Sequence, residues 1–289
     1  MRFFRYQTGN GAALALDLGT RAVSLASLDA GLPSDLTEII KGGAQMLARI
    51  AALAESGGGH SVDRGSATLL NPFPAPAKIL CIGLNYQAHA DETKLAVTSF
   101  PTVFTRFTST LLDPNAGIPR SHVSEAYDYE VELVAVIGKR AHYVELSDAL
   151  DHVAGYTVAN DVSVRDYQFL TSQFIIGKNF DGTCPVGPDY VTADELPAGG
   201  KGLAITTVLN GETVQSQSTS DMIYDVATLV HKLSQVMTLE PGDIILTGTP
   251  SGIGHAREPK LYMKDGDVVI CTVDKVGSLR NTVHDEQRA

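Results

Sequence analysis

The sequence has few of the features that mark several protein classes. Its three cysteines, Cys81, Cys184 and Cys271, are odd in number and far apart, so they offer neither zinc-ligand spacing nor a disulfide framework. Such cysteine usage fits a reducing compartment, and we expect a cytoplasmic protein. No apolar run approaches the ~20 residues that a membrane-spanning helix needs, and the first residues lack the apolar core of a signal peptide.

Positively charged residues are also scarce. The 289 residues include 22 Lys and Arg against 33 Asp and Glu, which gives a net charge of −11. Nucleic acids and anionic membranes are bound by clustered basic residues, so we expect neither as a partner. With 44% hydrophobic and 19% charged residues, the composition is that of a globular protein long enough to bury a sizeable core.

Two common catalytic motifs are missing. The glycine-rich stretch 248–254 follows a predicted strand, but it lacks the Gly-Lys-Ser/Thr of a P-loop and no apolar helix follows it. We therefore interpret it as a rigid loop that presents Thr249 to a pocket. No Gly-x-Ser-x-Gly elbow is present, so a serine hydrolase of that type is unsupported.

What the sequence does contain is a run of acidic residues beside an apolar segment. Asp128, Glu130 and Glu132 alternate with other residues and lead into the apolar run 133–137. In a strand their side chains share one face, and a strand that is apolar throughout is typical of burial on both faces. Buried carboxylates must be neutralised, paired or bound to a cation.

A second apolar run, 153–159, supplies a further oxygen ligand because it ends at Asn160-Asp161. A set of carboxylates suits a hard cation, with Mg²⁺ expected first and Mn²⁺ or Ca²⁺ as alternatives. A solvated strand edge with its acids in water is the other interpretation, and it stays open at this point.

One histidine has a carboxylate partner at helical spacing. His89 and Glu92 are three residues apart, so they share a face if this segment is helical. A carboxylate placed in this way can hold an imidazole as a general base. The other histidines have no partner at helical or metal-ligand spacing, and we interpret them as surface or structural residues: His60, His122, His142, His152, His231, His255 and His284.

The local patterns predict more strands than helices, and the strands are not regularly separated by helices. We therefore expect an α+β fold that is mainly β, rather than a doubly wound parallel sheet. Three prolines, at 72, 74 and 76, predict an extended connector between a small N-terminal domain, 1–70, and a main domain, 71–289. The clearest elements are strands at 3–7, 12–18 and 21–28, helices at about 35–54 and 221–237, and a hairpin at 203–216.

Several motifs, in order from about Ala77 to Val283, together resemble the fumarylacetoacetate hydrolase family, in its acylpyruvate hydrolase and hydroxymuconate isomerase-like branch. They are Gly83-Leu84-Asn85-Tyr86 with His89 and Glu92; Tyr129-Glu130-Val131-Glu132-Leu133 with Val136-Ile137-Gly138; Asn160-Asp161-Val162-Ser163 with Arg165-Asp166 and Gln168; Gly177-Lys178 with Phe180-Asp181; and Gly248-Thr249-Pro250 with Gly252 and Gly254. The resemblance implies a mixed β-roll with a small N-terminal α/β domain, and a homodimer.

The resemblance also implies roles for individual residues. It implies an Mg²⁺ or Mn²⁺ site at Glu130, Glu132 and Asp161, and catalytic roles for His89, Glu92 and Lys178. Contacts with a small oxo-acid substrate are implied for four further residues: Tyr86, Arg106, Gln168 and Thr249. Arg106 and Asn179 stand where the family often has lysine and serine, so the substrate's identity stays open.

The function that the resemblance implies is metal-dependent cleavage of a carbon–carbon bond. The substrate would be an acylpyruvate-type 2,4-dioxo acid, cleaved through a metal-stabilised enolate while the dyad of His89 and Glu92 activates water. One alternative is decarboxylation of an oxaloacetate-like acid. Another is isomerisation or hydration of a hydroxymuconate-type diacid in aromatic catabolism. A non-enzymatic protein with a structural cation is the alternative from another class.

Overall fold

Strands dominate residues 1–287, the part of the chain that the computed structural model describes. The strands are β1 (Arg2–Thr8), β2 (Gly11–Asp17), β3 (Ala22–Ser24), β4 (Ser61–Val62), β5 (Leu69–Leu70), β6 (Ile79–Gly83), β7 (Thr102–Thr105), β8 (Leu111–Leu112), β9 (Ile118–Arg120), β10 (Tyr127–Asp128), β11 (Val131–Ile137), β12 (Val153–Asn160), β13 (Ser163–Val164), β14 (Cys184–Thr192), β15 (Ala204–Leu209), β16 (Glu212–Ser218), β17 (Ile244–Leu246), β18 (Val268–Val273) and β19 (Gly277–Asp285). The α-helices are α1 (Leu25–Leu28), α2 (Leu36–Lys41), α3 (Gly43–Glu55), α4 (Gln87–Thr93), α5 (Arg165–Gln168), α6 (Ile175–Lys178) and α7 (Val226–Ser234).

These strands form one large sheet and two smaller ones. The large, 12-stranded sheet has the order β4-β3-β2-β1-β14-β12-β11-β17-β6-β7, with β5 pairing with β1 and β8 with β14. A 5-stranded sheet has the order β16-β15-β18-β19-β9, and β10 pairs with β13. Most neighbours are antiparallel, while β6–β17, β8–β14 and β9–β19 are parallel. This is the mixed, mainly β fold that the sequence predicts.

Strand β11 is the centre of this arrangement because both of its faces are buried. Leu133 and Ala135 pack in a core with Ile205 of the 5-stranded sheet. Val134 packs in the opposite core with Ile39 of α2. Full burial of a Val, Leu or Ile side chain contributes about 1.5–3 kcal/mol, so β11 is a firmly held base for Glu130 and Glu132.

The N-terminal strands continue the large sheet. Strand β1 pairs with β14 through Arg2 opposite Val191 and Phe3 opposite Tyr190, and also pairs with β2. The predicted domain boundary after residue 70 lies between β5 and β6, and strands on both sides belong to the same sheet. The division into two domains therefore stays a prediction about folding units.

Three elements of the structure differ in extent from the sequence prediction. The third strand stops at Ser24, and residues 25–28 form α1 instead. The helix at 35–54 is two helices, because Gly43 has a φ of +57° that a continuous helix does not contain. The last long helix begins only at Val226, where the side chain of Asp225 accepts from the Thr228 N–H as an N-cap. Within residues 1–287, no helix has the length and apolar character needed to cross a membrane.

Candidate active site

Two glutamates and one aspartate converge where β11 and β12 meet. Val131 lies opposite Asn160 in this antiparallel pair, and the Asp161 N–H donates to the Glu130 carbonyl at 2.8 Å. Glu130 directly precedes β11, and Glu132 is the second residue of that strand. Because side chains alternate along an extended chain, Glu132 returns to the face of Glu130. Each of the three carboxylates places an oxygen within 4.8 Å of the others, and all three side chains are buried. The prediction that Glu130, Glu132 and Asp161 converge is confirmed. The other interpretation, a strand edge with its acids in water, is wrong because these side chains are buried.

Asp128 has a different role from the one its spacing indicated. The predicted acidic strand is interrupted, because β10 ends at Asp128 and pairs with β13, whereas β11 begins at Val131. The Asp128 carboxylate accepts from Arg165 Nε at 2.8 Å, from the Gly254 N–H at 2.7 Å and from the His255 N–H at 2.9 Å. It therefore anchors the glycine-rich loop to the site.

Three buried cations neutralise most of the acidic charge. Lys178 Nζ donates to Glu130 Oε2 at 2.7 Å and also to Asp161 Oδ2. Arg165 bridges Asp128 and Glu130, the latter at 2.6 Å. Arg106 pairs with Asp161 through Nε. Each cation is thus engaged by carboxylates and cannot move freely toward a ligand.

Counting these charges leaves one carboxylate in excess. The buried carboxylates at this site are those of Asp128, Glu130, Glu132 and Asp161, and the buried cations that contact them are Arg106, Arg165 and Lys178. Glu132 accepts the Gly248 N–H at 2.6 Å, and within residues 1–287 it forms no ion pair. The all-oxygen donor set and its surplus negative charge fit a divalent cation, so the residues present suit the metal that the resemblance implies.

The pKa values of the carboxylates reflect this uneven pairing. Burial, followed by the nearby charges of Asp161 and Glu130, raises the pKa of Glu132 well above its ordinary value. Burial alone would also raise the pKa of Glu130, but the charges of Lys178 and Arg165 outweigh it and lower that pKa. Glu132 is therefore the member of the triad that most needs a positive partner.

The predicted histidine–glutamate pair forms on α4. His89 Nδ1 lies 2.8 Å from Glu92 Oε1, and Glu92 Oε2 accepts the Gly252 N–H at 2.9 Å. Because an ionised carboxylate only accepts, Glu92 orients the imidazole with Nδ1 as the donor and leaves Nε2 as the basic nitrogen. The pair also fixes α4 against the glycine-rich loop.

One cavity of about 270 Å³ brings these groups together. The triad and Lys178 line it, and so do His89, Gln168 and Thr249. Phe104, Phe169 and Phe174 line it too, and their rings are in edge-to-face contact, with centroids 6.0 and 6.4 Å apart for the two pairs that share Phe174. The cavity is lined by charged and aromatic side chains together, and Lys178 Nζ lies over the Phe104 ring at 5.1 Å from its centroid.

Two predicted substrate contacts lie behind the cavity wall. Arg106 is buried and bonded to Asp161, to Thr183 Oγ1 at 3.1 Å and to the Val162 carbonyl, so its guanidinium holds a carboxylate instead of a substrate. Tyr86 is fully buried at the beginning of α4 and does not line the cavity. Gln168, Thr249, His89 and Lys178 do line it, and their roles stay predictions.

Two residues that line the cavity were not identified from the sequence. Arg165 lies in a quoted motif, yet its bridge between Asp128 and Glu130 depends on a non-local contact. His255 was interpreted as a surface or structural residue, but its ring lies 5.3 Å from that of Phe169 and lines the cavity. Burial, then the charges of Arg165 and Lys260, lower the pKa of His255. Its position directly after the glycine-rich stretch was the available signal.

The glycine-rich loop requires glycine for steric reasons. Gly248 has a φ of +99°, and a Cβ there would lie 3.0 Å from the Ile82 carbonyl oxygen. A Cβ on Gly254 would lie 1.8 Å from the Leu261 carbonyl oxygen. The loop is therefore packed tightly between neighbouring backbones, as expected for a rigid support of Thr249.

Comparison with known proteins defines the class of this site. The family model described as "Fumarylacetoacetate (FAA) hydrolase C-terminal" matches residues 78–284. The chain belongs to the fumarylacetoacetate hydrolase family, which is a family of enzymes.

Named relatives resemble the chain over nearly its whole length. It is 37% identical to the Xenopus laevis protein named "Oxaloacetate tautomerase fahd2, mitochondrial", over 98% of this chain and 90% of that one. Its structure is similar to a fumarylacetoacetate hydrolase from Exiguobacterium antarcticum, with a TM-score of 0.85, 33% identity and coverage of 99% and 100%. It is also similar to maleylpyruvate hydrolase from Sphingobium sp. SYK-6, solved with manganese(II) and pyruvate, with a TM-score of 0.83, 28% identity and the same coverage.

Proposed function

We propose that this protein is a divalent-metal-dependent enzyme that interconverts the keto and enol forms of a short 2-oxo diacid such as oxaloacetate. The observation that carries the proposal is the shared cavity: a buried carboxylate triad with surplus negative charge lines it together with the histidine of a His–Glu dyad. The tautomerase name of a relative that aligns over 98% of this chain supports the same substrate class.

The proposed metal ligands are Glu130, Glu132 and Asp161. Mg²⁺ or Mn²⁺ bound there supplies Lewis-acid charge for the carboxylate and 2-oxo oxygens of the substrate. Lys178 adds a fixed positive charge beside the same carboxylates, where negative charge develops during enolisation. Because Lys178 is already paired in the folded protein, this charge needs little rearrangement during the reaction.

His89 is the proposed general base. Its Nε2 takes a proton from carbon 3, and the electrons of the broken C–H bond move to the 2-oxo oxygen. Water protonates that oxygen to complete the enol, and the protonated imidazole returns its proton to water. Glu92 holds the imidazole in the required tautomer and stabilises its protonated form. Positioned acid–base catalysis of this kind contributes about 10²- to 10⁴-fold.

Carbon–carbon bond hydrolysis of an acylpyruvate is the second candidate. It is favoured by the same dyad, which is placed to activate a water molecule, and by the similarity to maleylpyruvate hydrolase. We place tautomerisation first because a relative that aligns over 98% of this chain is named as an oxaloacetate tautomerase. Decarboxylation of oxaloacetate is a competing outcome.

A substrate panel separates these reactions. Purified protein is supplied with Mg²⁺ or Mn²⁺ and then with oxaloacetate, acylpyruvates or a hydroxymuconate-type diacid. We expect faster loss of the oxaloacetate enol absorbance, without release of CO₂, and no effect of the protein in excess chelator. Release of an acyl acid identifies hydrolysis instead, and activity that persists in chelator contradicts the proposal. The homodimer and the cytoplasmic location stay predictions.

A further inference from the structure

A buried glutamine on the edge strand β16 points toward the active site because the strand contains a bulge. Thr207 of β15 pairs with Gln215, while the next residue, Val208, pairs with Thr213, so Val214 is an extra residue. The bulge breaks the alternation of the strand, and the consecutive residues Val214 and Gln215 are both buried. Bulges near active sites commonly redirect a side chain in this way.

The Gln215 amide uses all four of its hydrogen-bonding positions. Its Oε1 accepts from the Val131 N–H at 3.2 Å and from Thr207 Oγ1 at 2.7 Å. Its Nε2 donates to Thr249 Oγ1 at 2.9 Å and to the Pro250 carbonyl at 2.8 Å. Since one partner is a backbone donor and another a backbone acceptor, the amide has one orientation only.

This fixed orientation determines what Thr249 can do. Its oxygen already accepts from Gln215, and within residues 1–287 its hydroxyl hydrogen has no protein acceptor. Thr249 is 3% exposed and lines the cavity, so the free hydrogen is available to an anionic group bound there. We propose that Gln215 is a positioning residue that commits the Thr249 hydroxyl to donate to a substrate carboxylate.

The same amide links Thr249 to the metal-binding strand. Val131, whose N–H it accepts, lies between Glu130 and Glu132 of the triad. The Gln215 side chain therefore fixes the position of the Thr249 hydroxyl relative to the proposed metal ligands. This inference rests on the proposed function for the identity of the bound anion, a 2-oxo acid.

Oxalate binding in the presence of Mg²⁺ tests the inference without turnover. Calorimetry compares the wild type with Thr249→Val, Gln215→Met and the double variant. Gln215→Glu is a second variant of the same shape, in which a carboxylate oxygen accepts where the amide Nε2 donates. Gln217→Met is the matched control, because Gln217 accepts the Ser251 N–H in the same loop and does not contact Thr249. Thermal unfolding of each variant reports on folding.

The expected results follow from the loss of one hydrogen bond to a charged group. Thr249→Val and Gln215→Met each weaken oxalate binding by roughly 10-fold or more. The double variant stays within about twofold of Thr249→Val, because the two residues act through one bond. Gln215→Glu weakens binding as Thr249→Val does, and Gln217→Met leaves binding unchanged.

Three outcomes overturn the inference: additive losses in the double variant, Gln215 variants that lower only the unfolding temperature, or a wild type that does not bind oxalate. Failure of the proposed function is a different result. In that case oxaloacetate is not enolised, while oxalate binding and the coupling between Gln215 and Thr249 persist.

Discussion

The two halves of the cavity are held in different ways. The carboxylate half belongs to the ends of β11 and β12, where buried ion pairs and two hydrophobic cores surround it. The half that carries His89 is the short helix α4, whose N-cap residue Tyr86 makes no side-chain capping bond and whose C-cap residue Lys94 has a φ of +59°. The charged residues of the triad are therefore buried in the core, whereas His89, the proposed proton-transfer group, lies on a short helix.

This difference implies that stability and catalysis should separate by mutation. Removing a charge that is paired in the core half leaves its buried partner without compensation, so it affects folding as well as metal binding. Removing the imidazole from α4 affects one side chain and its Glu92 partner.

Glu130→Ala should have the largest effect, because it leaves Lys178 and Arg165 without a partner that both now contact. We expect a loss of about 3–5 kcal/mol in the free energy of unfolding, together with loss of metal binding and activity. Urea denaturation and a metal titration measure the two effects. A variant of wild-type stability that still binds metal would contradict the ion-pair account.

His89→Ala should separate catalysis from folding. We expect turnover to fall by about 10²- to 10⁴-fold with metal affinity unchanged, because His89 is outside the triad. Steady-state kinetics and calorimetric titration with Mn²⁺ test this, with His231→Ala as the control on α7. Activity near the wild-type level would remove His89 from the mechanism.

Glu132→Gln should shift stability and metal binding in opposite directions. The substitution removes the surplus buried charge while an amide oxygen still accepts the Gly248 N–H. In chelator we expect the free energy of unfolding of the variant to be about 1–2 kcal/mol higher than that of the wild type. Without chelator we expect the variant to bind Mg²⁺ more than ~10-fold more weakly. A less stable variant would show that Glu132 is compensated in another way.

Asp35→Ala should give the smallest effect and lies far from the chemistry. Asp35 caps α2 by accepting the Thr37 N–H at 2.7 Å, so we expect a loss of about 1 kcal/mol in stability. Activity per folded molecule should be unchanged in a standard assay. A large loss of activity would link the N-terminal region to the site.

The sequence was sufficient for the parts of the site that depend on local pattern. Glu130 and Glu132 were recognisable because charge beside a fully apolar strand has to be compensated, and His89 with Glu92 because of helical spacing. The buried carboxylate cluster was therefore predictable, as was the mainly β fold.

Non-local contacts were not predictable in the same way. Nothing in the local spacing of Arg106 indicates that it pairs with Asp161 and not with a substrate. Gln215 reaches Thr249 only because of a bulge, whose extra residue has no special sequence. These contacts depend on how strands from distant parts of the chain are aligned, which short patterns do not specify.

Exchange of the methyl protons of pyruvate with deuterium, followed by NMR in D₂O with Mg²⁺, tests the central claim most directly. Exchange requires removal of a methyl proton, which is the enolisation step proposed for His89, and it needs no knowledge of the natural substrate. We predict that wild-type protein with Mg²⁺ accelerates exchange, and that chelator, Glu130→Ala and His89→Ala each abolish the acceleration. No acceleration by the wild type, or equal acceleration by His89→Ala or in chelator, would contradict the account.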